Sequence, residues 1–210
     1  MRKVLGIIWP TISVGLLVSG CNGIQNNIGA PDSNASLCEI VERPFASLGQ
    51  QQGTEYEGDS SVYEFAAEQY QQSLILLQDS ESAEDSAAAI STLERLVACN
   101  YGPAHYTLGA VYSDGRLVEL DHALAATYFQ SAAEHGSFEA MFALGWMHEH
   151  GQGFRVDTET AFMWYVLSQD GPERLGVDRT NALTQIMSES EVREAQYRAE
   201  ICRTSWYLDC

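Results

Sequence analysis

The sequence predicts an all-α protein: an α-solenoid of stacked antiparallel helix hairpins with an N-terminal flexible tether. Three observations predict it. The chain repeats at a fixed step of 36 residues, so that Ala104, Leu108, Gly109, Gly115, Asp121 and Ala125 recur as Ala140, Leu144, Gly145, Gly151, Asp157 and Ala161. Aromatic positions recur with them, as Tyr106/Phe142, Tyr128/Trp164 and Phe129/Tyr165. Within each unit the apolar residues keep helical spacing, with glycines after helix ends and aspartates before helix starts. Units of this length are supersecondary pieces that bury their apolar faces only by stacking on neighbours. Function in such an array lies on a surface, and a catalytic cleft is disfavoured.

The elements follow in order. Residues 1–20 read as a lipoprotein signal peptide. Arg2 and Lys3 form a positive start, and Val4 to Val18 is largely apolar. That stretch is short for a membrane span, which needs roughly 20 residues, and Pro10 weakens a helix through its middle. Val18-Ser19-Gly20-Cys21 resembles the bacterial lipobox. The resemblance implies cleavage before Cys21 and lipidation of its thiol, with palmitate among the acyl groups expected. The alternative is an ordinary secretory signal cut nearby, leaving Cys21 a free thiol. In lipoproteins an aspartate after the cysteine often marks inner-membrane retention. Asn22 stands there instead, which implies the outer membrane, facing the periplasm.

The charge agrees with export. The whole chain carries −18, and residues 1–20 hold two of its 11 basic residues and no acid, leaving 9 against 29. Such a field opposes nucleic acid and anionic lipid headgroups and favours basic partners. Lys3 is the only lysine. A mature chain without lysine has no Ser-x-x-Lys acylation site, no phosphate-loop lysine and no Schiff base.

Four cysteines follow Cys21: Cys38, Cys99, Cys202 and Cys210. In an oxidising compartment an even number suggests two disulfides, and four cysteines allow three connectivities. The local pair Cys202–Cys210 is favoured, with Cys38–Cys99 as the second. No paired C-x-x-C spacing supports zinc instead, and no cofactor is expected.

Residues 21–59 read as a mostly irregular tether, rich in Gly, Asn, Gln and Ser. A flexible segment of this length would span roughly 35 Å. Within it, Cys38 to Phe45 has apolar content suited to docking. Residues 60–100 read as a degenerate helical hairpin. Ser61-x-x-Glu64 suits a capping box, with Val62, Phe65, Ala66, Tyr70, Leu74 and Leu77 at helical spacing. Ser82-x-x-Asp85 starts the partner helix, and Asp85 and Ala89 stand 36 residues before Asp121 and Ala125. Residues 101–136 and 137–172 are the two clear repeats. Their helices are expected at Pro103–Ser113, Asp121–Glu134, Ser137–His150 and Thr158–Ser168. Gly109 and Gly145 lie inside helices, where glycine costs about 1 kcal/mol against alanine, so a close neighbour must require them. Residues 173–210 form C-terminal capping helices.

The pattern Ala-x-x-x-Leu-Gly, a glycine six residues on, an aspartate before the second helix, then Ala-x-x-aromatic-aromatic, resembles the Sel-like repeat, a relative of the tetratricopeptide repeat. Leu144-Gly145-Trp146-Met147-His148-Glu149-His150-Gly151-Gln152-Gly153 is the better match, departing at His148, where the family usually has tyrosine. The first repeat keeps Tyr112 but has Leu117 where a second glycine is expected. The tail, with Leu183, Ile186, Met187, Ser188, Glu191, Ala195, Cys202, Tyr207 and Cys210, is similar to the closing segment of exported members. The resemblance implies a non-enzymatic adaptor for protein complexes. It also raises an alternative, a cell-wall-fragment binder or a β-lactamase-like cell-wall hydrolase of the cysteine-rich members, against which the missing lysine argues.

Rival chemistry is weak elsewhere. His148-Glu149-His150 lacks zinc-protease spacing, and histidines two apart on a helix face apart. The acidic run Asp79–Asp85 lacks a calcium loop's spacing and central glycine. Ser168, Ser188 and Ser190 sit in no nucleophile elbow. The expected partner face is on the first helices of the hairpins, which line the concave side. Tyr106, Phe142, Trp146 and Glu149 would line a groove there for a protein or peptide segment carrying Arg or Lys. Phe142 and Trp146 equally suit packing under the tether or the C-terminal cap.

Overall fold

A computed structural model of the chain describes residues 60–79, 82–208 and 210. The signal segment, Cys21, Cys38 and the rest of the expected tether lie outside the described residues. So do the side chains of Ser61 and Asp79, and residues 80 and 81 of the acidic run.

Among the described residues there are eight helices and no strand: α1 (Ser60–Asp79), α2 (Ala83–Ala98), α3 (Gly102–Asp114), α4 (His122–Glu134), α5 (Phe138–His150), α6 (Thr158–Ser168), α7 (Val177–Leu183) and α8 (Glu189–Thr204). The four helices expected between 103 and 168 appear within one residue at each end. Each of α1 to α5 packs on its sequence neighbours, and α6 is covered by both α7 and α8. This is the nearest-neighbour construction of a solenoid.

Local chemistry sets the starts. The Ser82 hydroxyl accepts from the Glu84 N–H (3.1 Å), Asp121 from Leu124 (2.9 Å), Ser137 from Ala140 (3.2 Å) and Asp157 from Thr160 (3.0 Å). Each satisfies an amide that the helix leaves open. Ser188 and Glu191 form a full capping box for α8. In the degenerate hairpin the cap is Ser82, so α2 begins three residues before the position expected from Asp121. Ala89 still takes the buried place of Ala125.

The two clear hairpins turn alike. Gly115 (φ 68°) and Gly151 (φ 71°) end α3 and α5 in the left-handed region. The Asp121 N–H then reaches the Tyr112 carbonyl at 3.1 Å, as the Asp157 N–H reaches His148 at 3.0 Å. Inside that shared closing bond the turns differ as expected from Leu117: Gly153 also takes the left-handed region (φ 73°), whereas Leu117 at the matching position does not.

Two apolar clusters make the core. Ala66, Ile90, Leu93, Leu96, Ala104 and Leu108 join α1, α2 and α3, while α4 to α8 share the larger cluster around Phe129, Leu144, Tyr165, Leu183 and Cys202. Tyr112 packs against both. The first of the two expected capping helices is short. α7 ends at Leu183, and Ile186 lies beyond it, largely exposed. α8 is held to α6 by the buried small residues Ala195 and Ala199 and by Arg198, which donates to Thr160 Oγ1 at 3.2 Å. Cys202 and Cys210 are joined, closing the turn after α8. The Cys38 end of the second expected bridge lies outside the described residues.

Candidate functional site

The first helices of three hairpins share one groove. Tyr70 comes from α1, Gly102, Pro103 and Tyr106 from α3, and Glu139 from the first turn of α5, with Ala132 from the end of α4 and His135, Gly136 and Ser137 from the turn that follows it; the cavity measures about 460 Å³. Its walls are built from the repeat pattern. Tyr106 leans on Phe129 with centroids 5.8 Å apart, as its counterpart Phe142 leans on Tyr165 at 5.3 Å. The Tyr70 hydroxyl bonds Thr107 Oγ1 at 3.0 Å, and its ring tilts against Tyr101. Burial first, then the negative field of Glu139, raises the Tyr106 phenol above its ordinary range, so it stays a neutral donor. The groove is thus aromatic, with one carboxylate at its rim.

In the groove wall His135 stacks on His105. The rings of His105 and His135 lie 5.2 Å apart and nearly parallel. His135 Nδ1 is 2.6 Å from the Ser131 carbonyl, the geometry of a donated hydrogen bond. Both ring nitrogens of His105 are buried without a hydrogen-bond partner. Burial, and then the neighbouring His135, lower the His105 pKa to about 4. Such a ring is a neutral packing element at neutral pH.

On α5 the expected face divides. Trp146 is 40% exposed. It stacks on His150 at 3.9 Å, and the Arg179 guanidinium lies 5.5 Å from its ring centre. Phe142 is half-buried against Tyr165 and the core. Glu149 points inward with only 17% of its side chain exposed, paired with Arg179. It accepts from the Tyr165 hydroxyl at 2.8 Å and from Arg179 Nε at 3.1 Å. Burial, followed by Glu149, pushes the Tyr165 phenol well above its usual range. The reading of Glu149 as an open acid for a partner's arginine is therefore corrected: α7 supplies that arginine from within the chain.

His148, Glu149 and His150 diverge, as the helical geometry required. His148 stacks on Phe154 at 4.0 Å, and His150 Nδ1 lies 2.9 Å from the Trp146 carbonyl. Among the described residues no three His, Cys, Asp or Glu side chains are placed to hold a metal ion.

Of the four expected residues, Tyr106 lines the groove, Trp146 is the exposed ring, Phe142 is partly core, and Glu149 is internally paired. Sequence reasoning placed Tyr70 in a helix stripe but not in the groove. It passed over Glu139 and Arg179. Arg179 lies 30 residues from Glu149, beyond any local spacing rule.

The Sel1 repeat family model matches residues 102–137 and 138–168, about a third of the chain. A stretch of 72 residues is 40% identical to the ERAD-associated E3 ubiquitin-protein ligase component HRD3A of Arabidopsis thaliana, covering 33% of this chain and 11% of that protein. HRD3B of the same plant is 38% identical over 72 residues, covering 33% and 12%. The chain thus spans about a tenth of the length of these relatives. A crystal structure of a protective antigen of uropathogenic Escherichia coli displaying an SLR fold aligns with TM-score 0.61 and 20% identity, covering 84% of this chain and 38% of that one. That likeness shows the fold.

Proposed function

We propose that this chain is a lipid-anchored periplasmic adaptor of the outer membrane that binds a protein or peptide partner through the groove shared by α1, α3 and α5. The single observation that carries it is the groove itself: two tyrosines from successive hairpins with an acidic rim, on a repeat scaffold. Rigid aromatic rings give large contact area at low entropic cost, and Glu139 favours a segment with a positive charge. The plant relatives support the scaffold reading, since their names make them components of a ubiquitin ligase assembly. Anchoring rests on the lipobox resemblance at Cys21. A role without catalysis rests on the missing lysine and on the scaffold likeness.

The test is capture from intact envelopes with photo-crosslinkers at positions 106 and 146. Amine reagents would not serve a chain without mature lysine. Capture at 106 that falls with Tyr70→Ala, at unchanged helicity, supports the adaptor. Thermal stabilisation by muropeptides with no protein captured would move the function to binding cell-wall fragments. Cys21→Ser should leave the precursor unprocessed; normal processing would remove the anchor.

A further inference from the structure

α8 buries one face and leaves the opposite face open. Ala195, Ala199 and Cys202 are fully buried on the side that packs on α6. At about 100° per residue, Tyr197 points directly away from them. It is 63% exposed, and Ile201 on the same outward face is 41% exposed. In a solenoid the outer face of an end element is ordinarily polar, which keeps the array soluble. Here a ring and a branched aliphatic chain stand on it.

Charges bracket that ring in a particular order. Arg193 lies four residues before Tyr197 and Glu200 three after. They are seven residues apart, two turns, and so share one flank of the helix. Glu194 and Ile201 are seven apart on the other flank. Within the chain Arg193 reaches Glu189 at 3.5 Å and Glu200 reaches Arg203 at 3.3 Å. Both are exposed one-turn pairs, which contribute little and exchange readily.

The face is its own complement. A second α8 laid antiparallel, with a two-fold axis through Tyr197, keeps each flank on its own side and reverses the order along the helix. Arg193 then stands about 6 Å from the level of the axis, and the second copy's Glu200 about 4.5 Å from it on the same side. The two are level to within one residue, and symmetry repeats the pair beyond the axis. Ile201 meets the aliphatic stem of the second copy's Glu194, and the two Tyr197 rings meet at the centre. We infer that the outer face of α8 pairs with the same face of a second copy, antiparallel about Tyr197 and closed by two Arg193–Glu200 contacts. Two helices of this length bury less than the roughly 1,600 Å² of a standard interface, so the dimer is weak and forms at high local concentration. The strong negative charge of each copy opposes approach at low salt and is screened beyond about 8 Å at physiological salt. The pairing does not depend on what the groove of α1, α3 and α5 binds, but a dimer presents two such grooves.

The test mixes two differently tagged forms of the oxidised full-length protein in mild detergent, with a benzophenone amino acid at position 197 of one. Irradiation at high micromolar concentration should join the two tags through a peptide containing Arg193–Ile201. Arg193→Glu in both forms should lower the yield at least fivefold at unchanged helicity. Adding Glu200→Arg to both should restore it, because the pairs then re-form with reversed sign. Tagged forms that stay separate, cross-links to another surface, or a doubly reversed protein that fails to recover would overturn the inference. Partner capture at position 106 reads the adaptor function separately.

Discussion

A methyl group on Gly145 would sit 2.7 Å from Cδ1 of Tyr165, and one on Gly109 would meet Phe129 Cδ1 at the same 2.7 Å. The 36-residue repeat is therefore a repeat of one contact: a second-helix ring laid flat on a first-helix backbone. Gly145→Ala should gain about 1 kcal/mol of helix propensity and lose about 1–3 kcal/mol to overpacking. We expect net destabilisation in urea unfolding, because the obstructing atoms belong to a fully buried ring that has nowhere to swing. A stabilised Gly145→Ala protein would show that the ring yields.

The Glu149–Arg179 pair ties the last repeat to α7. Arg179→Ala should cost about 1–3 kcal/mol, because it leaves a largely buried carboxylate with Tyr165 as its remaining donor. Glu149→Gln should recover part of that loss in the double variant. A cycle of the four proteins, measured by chemical unfolding, gives the coupling; a value near zero would make the pair ornamental.

His105 makes stability fall in mild acid. Its folded pKa is about 4 against an ordinary 6.5. Above pH 6.5 neither state binds the proton, and the group has no effect. Between 6.5 and 4 the unfolded chain is protonated first, so stability drops as pH falls, by about 3 kcal/mol once both states are charged. His105→Phe keeps the bulk and removes the two unpartnered nitrogens. It should flatten the pH dependence of Tm between 6.5 and 5, and an unchanged slope would assign that dependence to other groups.

The Cys202–Cys210 bridge closes a loop of eight residues' separation. Loop-closure entropy for that length gives about 2–3 kcal/mol. Within the loop Trp206 and Tyr207 both hold left-handed backbone (φ 58° and 64°), a conformation L-residues resist. Reduction should therefore lower Tm and release amide protection at 202–208 first. Hydrogen exchange of oxidised and reduced protein checks this; equal protection would show that the Tyr207 N–H to Cys202 carbonyl bond (2.8 Å) suffices.

Local physics left its mark in the order of residues. Asp121 and Asp157 must cap, Gly115 and Gly151 must turn left-handed, and Gly109 and Gly145 must admit a neighbour, because each requirement acts over a few residues. Repetition made those marks unambiguous, so helix ends between 103 and 168 were legible to within one residue. Less was legible where the repeat decays. The start of α2 departs from the 36-residue step but was still marked by its Ser82 cap, whereas the short α7 carried no such local mark.

The array, its caps and its close-packed glycines are written in the order of residues. Which faces stay open depends on how the helices pack on one another. Tyr70 becomes a groove wall because α1 packs beside α2 and meets Thr107 of α3, and Glu149 is withdrawn because α7 folds back to bring Arg179 to it. Both contacts join residues 30 or more positions apart. Such pairings depend on how one layer settles on the next, which no periodicity within a single helix encodes.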